Sequence, residues 1–143
     1  MDDTIDPAKF EAEGWSAMDD RGFIELAGPF FYRKAGNAMH FCFPTADKHH
    51  NRNGMVQGGA IMTFTDRALG ATARDFSSAA RTATIQLNIQ FVDGVHVGEI
   101  IEAKSTVIRD TKQIVFMSTS LTVGTRTIAQ ATGVWKKLLS KPA

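Results

Sequence analysis

The chain predicts an α+β domain in which an antiparallel β-sheet wraps around one long, buried helix. Two stretches carry that expectation. From Gly58 to about Arg74 there is no proline, and Ile61, Met62, Phe64, Ala68, Leu69 and Ala71 leave only a narrow polar face. A helix that is apolar most of the way round is buried on most sides. After it come four β-rich stretches joined by polar turns, and short turns between strands require antiparallel pairing. With 143 residues the chain is expected to be a single domain, 1–143, with one core.

The elements follow in order. Asp6 is a helix N-cap, Pro7 suits the first helical position and Gly14 stops a short helix, all within an N-terminal extension over 1–22. Phe23 to Pro29 leads into Phe30-Phe31-Tyr32-Arg33-Lys34, and Ala35-Gly36-Asn37 is turn chemistry before Ala38 to Phe43. Those two runs read as a hairpin, and Pro44 to Gly54 reads as a loop. In the helix, Gly59, Ala60, Gly70 and Ala71 are small enough to let a sheet approach. Thr84 to Phe91 alternates polar and apolar residues, the mark of a half-buried strand. Gly98–Arg109, Gln113–Val123 and Thr127–Lys137 complete an expected four-strand meander.

Composition limits the function. Apolar residues make up 43% and charged residues 22%, the profile of an ordinary globular protein rather than a disordered or fibrous one. The net charge of +1 is spread along the chain, so no basic face argues for nucleic acid. The single cysteine, Cys42, excludes an internal disulfide and fits a reducing compartment. The acidic start Met1-Asp2-Asp3-Thr4 has no apolar segment behind it, and no stretch approaches the roughly 18 apolar residues of a membrane span. A cytoplasmic protein with neither nucleic-acid nor membrane partners is expected.

The chemistry concentrates in His49-His50-Asn51-Arg52-Asn53-Gly54-Met55-Val56-Gln57-Gly58-Gly59 and the helix that follows. The first turn of a helix has unsatisfied N–H groups and the positive end of the dipole, so Gly58 and Gly59 can hold an oxyanion. Glycine lets a carbonyl come close; the plainer reading is that the pair simply permits tight packing. Asp66 is a carboxylate in a very apolar helix, where an unpartnered charge is costly. It suits a general base or a nucleophile. The plainer alternative is an ion pair with Arg67 or Arg74, but Arg67 points elsewhere on a helix and Arg74 is two turns away. Gly58 and Asp66 lie about 12 Å apart along a helix. One copy is therefore ill placed to offer both to one carbonyl, whereas two antiparallel copies across a two-fold axis can.

The order Asn51, Gly54, Gly58-Gly59, Asp66 resembles the signature of the hotdog-fold acyl-CoA thioesterases, in the branch typified by phenylacetyl-CoA thioesterases. Gly28-Pro29-Phe30-Phe31 also looks like that family's pre-hairpin motif. The resemblance implies a hotdog fold, active sites at a dimer interface, and hydrolysis of an acyl- or aryl-CoA without metal or other cofactor. It implies that Asn51 and the Gly58 N–H polarise the thioester carbonyl and that Asp66 activates water or attacks directly. Thr84 matches the Ser/Thr that orients the water or the acid. Gln57, Gly59, His49 and Asn88 are the expected substrate-binding residues, His49 as the histidine of a His-x-Asn turn and Asn88 as a pocket residue sharing a strand face with Thr84 and Gln86. The expected partners are the acyl-CoA and further copies of the chain, as a dimer or a dimer of dimers.

The sequence departs from the family at Gln57, where members usually have histidine before the two glycines. Glutamine can hold a carbonyl but cannot donate a proton near neutral pH. A thiol with a pKa near 8.5 leaves without much acid assistance, so hydrolysis survives this change. Hydroxyacyl dehydration, the competing hotdog activity, normally depends on a histidine and is disfavoured. A domain that binds acyl-CoA without turnover is the other alternative, and Asp66 argues against it. His49 and His50 lack the companions of a metal site. Arg109, Lys112, Arg126, Lys136 and Lys137 are candidates for the coenzyme phosphates, each more simply read as a solvated turn charge. Phe64, Phe91 and the methionines suit an aryl or a medium-chain acyl group equally well.

Overall fold

A computed structural model of the chain describes residues 5–36 and 38–138. The acidic N-terminus and Asn37 of the hairpin turn lie outside the described residues. The expected first helix is α1, Pro7–Ala12, and the Asp6 side chain accepts from the Ala8 N–H as an N-cap. Gly14 follows it at φ +92°, a conformation that favours glycine. Phe10 is the buried residue of α1, and its ring stacks on Phe31 at 4.6 Å.

The hairpin is β2, Phe31–Ala35, and β3, Ala38–Pro44. Two elements before it are not in the sequence reading: β1, Ser16–Ala17, which pairs with β2, and α2, Gly22–Ala27. Both are too short for a periodic pattern to register. The long helix α3 spans Gly58–Ser77, three residues beyond expectation, and ends at Ser78 in the left-handed region. The remaining strands are β4, Arg81–Phe91; β5, Ile100–Asp110; β6, Ile114–Val123; and β7, Arg126–Leu138.

These strands form one antiparallel seven-stranded sheet in the order β1-β2-β3-β5-β6-β7-β4, with α3 packed against it. The order corrects the expected meander. β5, β6 and β7 are sequential neighbours, but β4 lies beyond β7 and pairs with it, while β5 pairs with β3. The β5–β6 and β6–β7 turns are tight; the segment after Phe91 is long enough to cross from one side of the sheet to the other.

The core lies between α3 and the sheet. Phe64 of α3 packs against Phe30 and Phe43 with centroids 5.3 and 5.5 Å away, and Phe30 meets Phe43 edge-on at 5.0 Å. A second cluster joins Leu69 and Ala73 to Val115, Met117 and Trp135. Each fully buried ring or Leu side chain contributes about 1.5–3 kcal/mol, so one stripe of α3 fixes the helix on the sheet. Its opposite stripe, carrying Asp66, remains only partly covered. Among the described residues no helix is long and apolar enough to cross a membrane.

Candidate active site

The turn before α3 is built by Asn51. Its Oδ1 accepts from the N–H groups of Asn53 at 2.8 Å and Met55 at 3.1 Å, and Gly54 takes φ +78° to close the loop. With the oxygen held by the loop, the Nδ2 amide is the group left to donate. Val56 and Gln57 are tied down by N–H bonds to Val95 O and His49 O. Gln57 is the N-cap of α3, but its side chain makes no capping hydrogen bond and is exposed. The first helical N–H groups thus have no side-chain cap. A Cβ on Gly58 would stand 3.2 Å from the Phe91 ring, so glycine lets that ring lie over the helix start.

Asp66 is half-buried two turns further on. The Thr84 hydroxyl donates to its Oδ1 at 2.6 Å. Arg67, the nearest candidate for a competing ion pair, instead bonds Asp20 at 2.6 Å. Asp66 and Thr84 line one cavity of about 290 Å³, whereas Asn51 and Gly58 line another of about 390 Å³ with Phe91 and Val92. The two halves of the expected site are therefore separate within one chain, as the helix spacing requires.

A wider cleft of about 750 Å³ runs between α2 and the start of α3. Gln57, Gly59, Ala60 and Thr63 form one wall, and Phe23 and Leu26, which are 69% and 74% exposed, form the other. Lys48, His50 and Arg52 stand at the same cleft. The sequence reading missed Phe23, Leu26 and this basic rim. The available signal was an apolar Phe23-Ile24-x-Leu26 run bracketed by Gly22 and Gly28.

Two expected substrate-binding residues need correction. His49 borders the cleft, but it is buried and both ring nitrogens are engaged: Nδ1 accepts from the Ala46 N–H, and Nε2 donates to Ala27 O. The ring also packs edge-on against Phe43 at 4.7 Å. Burial, the largest influence, lowers its pKa and keeps it neutral. His49 thus ties the end of α2 to the loop before α3 and has no free nitrogen for a ligand. Asn88 is on the wrong face. Register shifts between Thr84 and Gln86, a bulge that switches the strand's phase. Thr82 and Thr84 face α3 before it, and Leu87 and Ile89 face the core after it. Asn88 then points outward, beside Gln90, Ser118, Ser120, Gln130 and Thr132.

The basic residues also sort themselves. Arg126 pairs with Asp93 and Glu99, and Lys137 pairs with Asp110 and bonds Thr111 O, so both brace loops. Among the described residues, no group of three His, Cys, Asp or Glu side chains gathers at one point. Cys42 is buried, and burial pushes its thiol up to about 12, far from a nucleophile's range.

A single sheet around a long helix, with a glycine pair at the helix start and an acid along it, defines the hotdog class. The chain belongs to the thioesterase superfamily: that family's model matches residues 53–129, more than half of the chain and including Gly58, Asp66 and Thr84. A Pseudomonas aeruginosa protein, PA0474, provisionally named an esterase, is 31% identical over 114 residues, covering 78% of this chain and 85% of its own. The fold is shared with Escherichia coli PaaI, from the phenylacetic acid degradation operon, at a TM-score of 0.74 and 14% identity over 92% of this chain and 91% of that one. It is shared too with zebrafish thioesterase superfamily member 2, at a TM-score of 0.72 and 19% identity over 92% and 95%.

Proposed function

We propose that the chain hydrolyses a coenzyme A thioester to the free acid and coenzyme A, at sites each assembled from two copies. The observation that carries this reading is the hydrogen bond from exposed Thr84 to half-buried Asp66, two helical turns from the uncapped N–H groups at Gly58. Asp66 of one copy takes a proton from water, and the resulting hydroxide adds to the thioester carbonyl carbon. The Gly58 N–H and Asn51 Nδ2 of the other copy hold the oxyanion as it forms. Collapse breaks the C–S bond, and the departing thiolate takes the proton back from Asp66. Thr84 fixes one carboxylate oxygen so that the other faces the water.

The sheet edge supports a homodimer. β4 is the last strand in the order, is bonded on one side by β7, and runs for 11 residues. Ile85, Phe91 and Val92 are 57%, 50% and 55% exposed along it and just past it. Long unpaired edges are normally covered, and a second β4 would cover this one while bringing the two helices together; a dimer of dimers is a further step of the same kind. His50 and Arg52 at the wide cleft suit the phosphates of the coenzyme, while Lys48 beside them donates to Leu26 O at 2.8 Å.

A panel of aryl, short and long acyl-CoAs, followed by free-thiol detection, tests the activity. The operon in the name of one structural relative makes an aryl thioester its first member. Turnover of at least one thioester is expected. A folded protein that binds acyl-CoA and releases no thiol would be a binding module instead.

A further inference from the structure

The cavity beside Asp66 has a catalytic end and a cationic end. Asp66, Gly70 and Arg74 succeed one another at four-residue steps, so they share one stripe of α3 and all line this cavity. Midway, Gly70 presents no side chain, and a Cβ built there would lie 3.1 Å from Trp135 Nε1 and 3.9 Å from Thr82 Oγ1. Trp135 is 1% exposed, and its Nε1–H has no hydrogen-bond partner among the described residues. Buried indole donors are ordinarily paired, and with glycine at position 70 no side chain stands between this one and the cavity that both residues line.

Arg74 and Arg81 line the same cavity further along. Helical side chains lean toward the helix N-terminus, so Arg74 leans from its own turn back over Gly70. Arg67 shares the wall, but its Nε is held by Asp20. Asp75, beside Arg74 in sequence, bonds Lys34. Asp66 is the one acid among the cavity's lining residues. With Asp66 at the reacting carbon, the acyl group would have the indole donor and the Arg74 guanidinium along its far half.

We infer that this cavity receives the acyl group and that its far end, through Trp135 and Arg74, selects acyl groups ending in a carboxylate. This rests on the thioesterase reading above. An alkyl or unsubstituted aryl end would leave the indole donor unmatched and press hydrocarbon against guanidinium. A carboxylate satisfies both, with the paired N–H geometry that arginine offers to planar anions. Asp66 and Arg74 are about 12 Å apart along the axis, and the backward lean of Arg74 shortens that span to a short chain or a single ring.

The test uses matched pairs, butyryl against succinyl and benzoyl against 4-carboxybenzoyl. Each is presented both on coenzyme A and on N-acetylcysteamine, which lacks phosphates. The carboxylated member of each pair should have the higher kcat/KM, by about tenfold or more on both carriers, as one added charge-assisted bond gives. Arg74→Gln should bring the ratio within each pair close to one, and Arg74→Lys should restore part of it. Arg74 is exposed, so the thermal melt should stay near that of the wild type. Gly70→Ala, which sets a methyl 3.1 Å from the indole nitrogen, should lower the ratio as well. Equal or better turnover of the uncarboxylated members overturns the inference while leaving the thioesterase reading intact. So does an Arg74→Gln loss confined to coenzyme A thioesters and equal within each pair, because the guanidinium would then be reading a coenzyme phosphate. Absence of hydrolysis across all eight thioesters overturns the inference, and absence across the wider acyl-CoA panel as well overturns both readings.

Discussion

Thr84 on β4 donates its hydroxyl to Asp66 on α3 at 2.6 Å, joining the sheet edge to the acid through one short hydrogen bond. The bond needs β4 in its first phase, before the bulge that follows Thr84. Asp66→Asn should keep the fold and lower turnover by about 10² or more, the scale of a general base. Thr84→Val should lower kcat/KM by roughly ten- to a hundredfold, the loss of one bond to a charged group, and Thr84→Ser should largely retain it. Steady-state kinetics on verified folded variants checks both. Near-normal hydrolysis by Asp66→Asn would remove Asp66 from the mechanism.

Activity should require two copies. Gly58→Val would push its new side chain onto the Phe91 ring, 3.2 Å from the Cβ position, and close the approach to the helix start. Mixed with Asp66→Asn protein, it should regain activity in heterodimers, each of which has one site with both native groups and one with neither. Inactive heterodimers, once their composition is verified by mass spectrometry, would count against a shared site.

Gln57 caps α3 with its backbone while its side chain remains exposed at the wide cleft. An amide does not titrate, so the pH profile of kcat/KM should show no limb from an imidazole at this position. Gln57→His should fold and add an ionisation near about pH 6.5. Gln57→Ala should cost about 0.5–3 kcal/mol of transition-state stabilisation if the amide holds the carbonyl. An alanine variant indistinguishable from wild type would leave that task to Gly58 and Asn51.

His49 gives stability a pH dependence. Its folded pKa is lowered, chiefly by burial, so the unfolded chain binds the proton more readily. Stability is then full above the unfolded value of about 6.5 and declines as pH falls from there toward the lowered folded value. His40 acts in the same direction, through burial first and then Lys104 and Arg33. Urea denaturation between pH 7.5 and 5 should show the decline, less steep in His49→Gln even though that variant is weaker at pH 7.5. An unchanged slope would mean that the His49 tether does not discriminate between its protonation states.

Much of this arrangement is legible in the chain. α1, the hairpin, α3 and the four late strands follow from caps, glycine turns and periodicity. The apolar helix with a lone acid and a glycine pair at its start also marks where to look. What escaped was phase and adjacency. The residues from Thr84 to Phe91 alternate without interruption, so nothing in the pattern announces the bulge that turns Asn88 outward. His49 looks like a ligand in a polar loop because its two partners are main-chain groups of Ala46 and Ala27, which carry no sequence signal. α2 buries none of its residues, and an exposed apolar run has no periodic contrast to betray it.

The pairing of β4 with β7 also sets an order of events for the growing chain. Gln90 finds its opposite number at Gln130, and Arg81 finds its own at Leu138. Everything between must therefore be synthesised before β4 has a neighbour within its own chain. During that interval α3 has only part of its wall, and a strand with exposed Ile85 and Phe91 waits in the open. Closing so long a loop makes sheet completion slow compared with helix or hairpin formation. It falls to β7, the last of these seven strands in chain order, to turn a partly collapsed chain into a folded domain. A nascent chain stalled short of Arg126 should be a substrate for chaperones and open to protease, whatever the finished protein does.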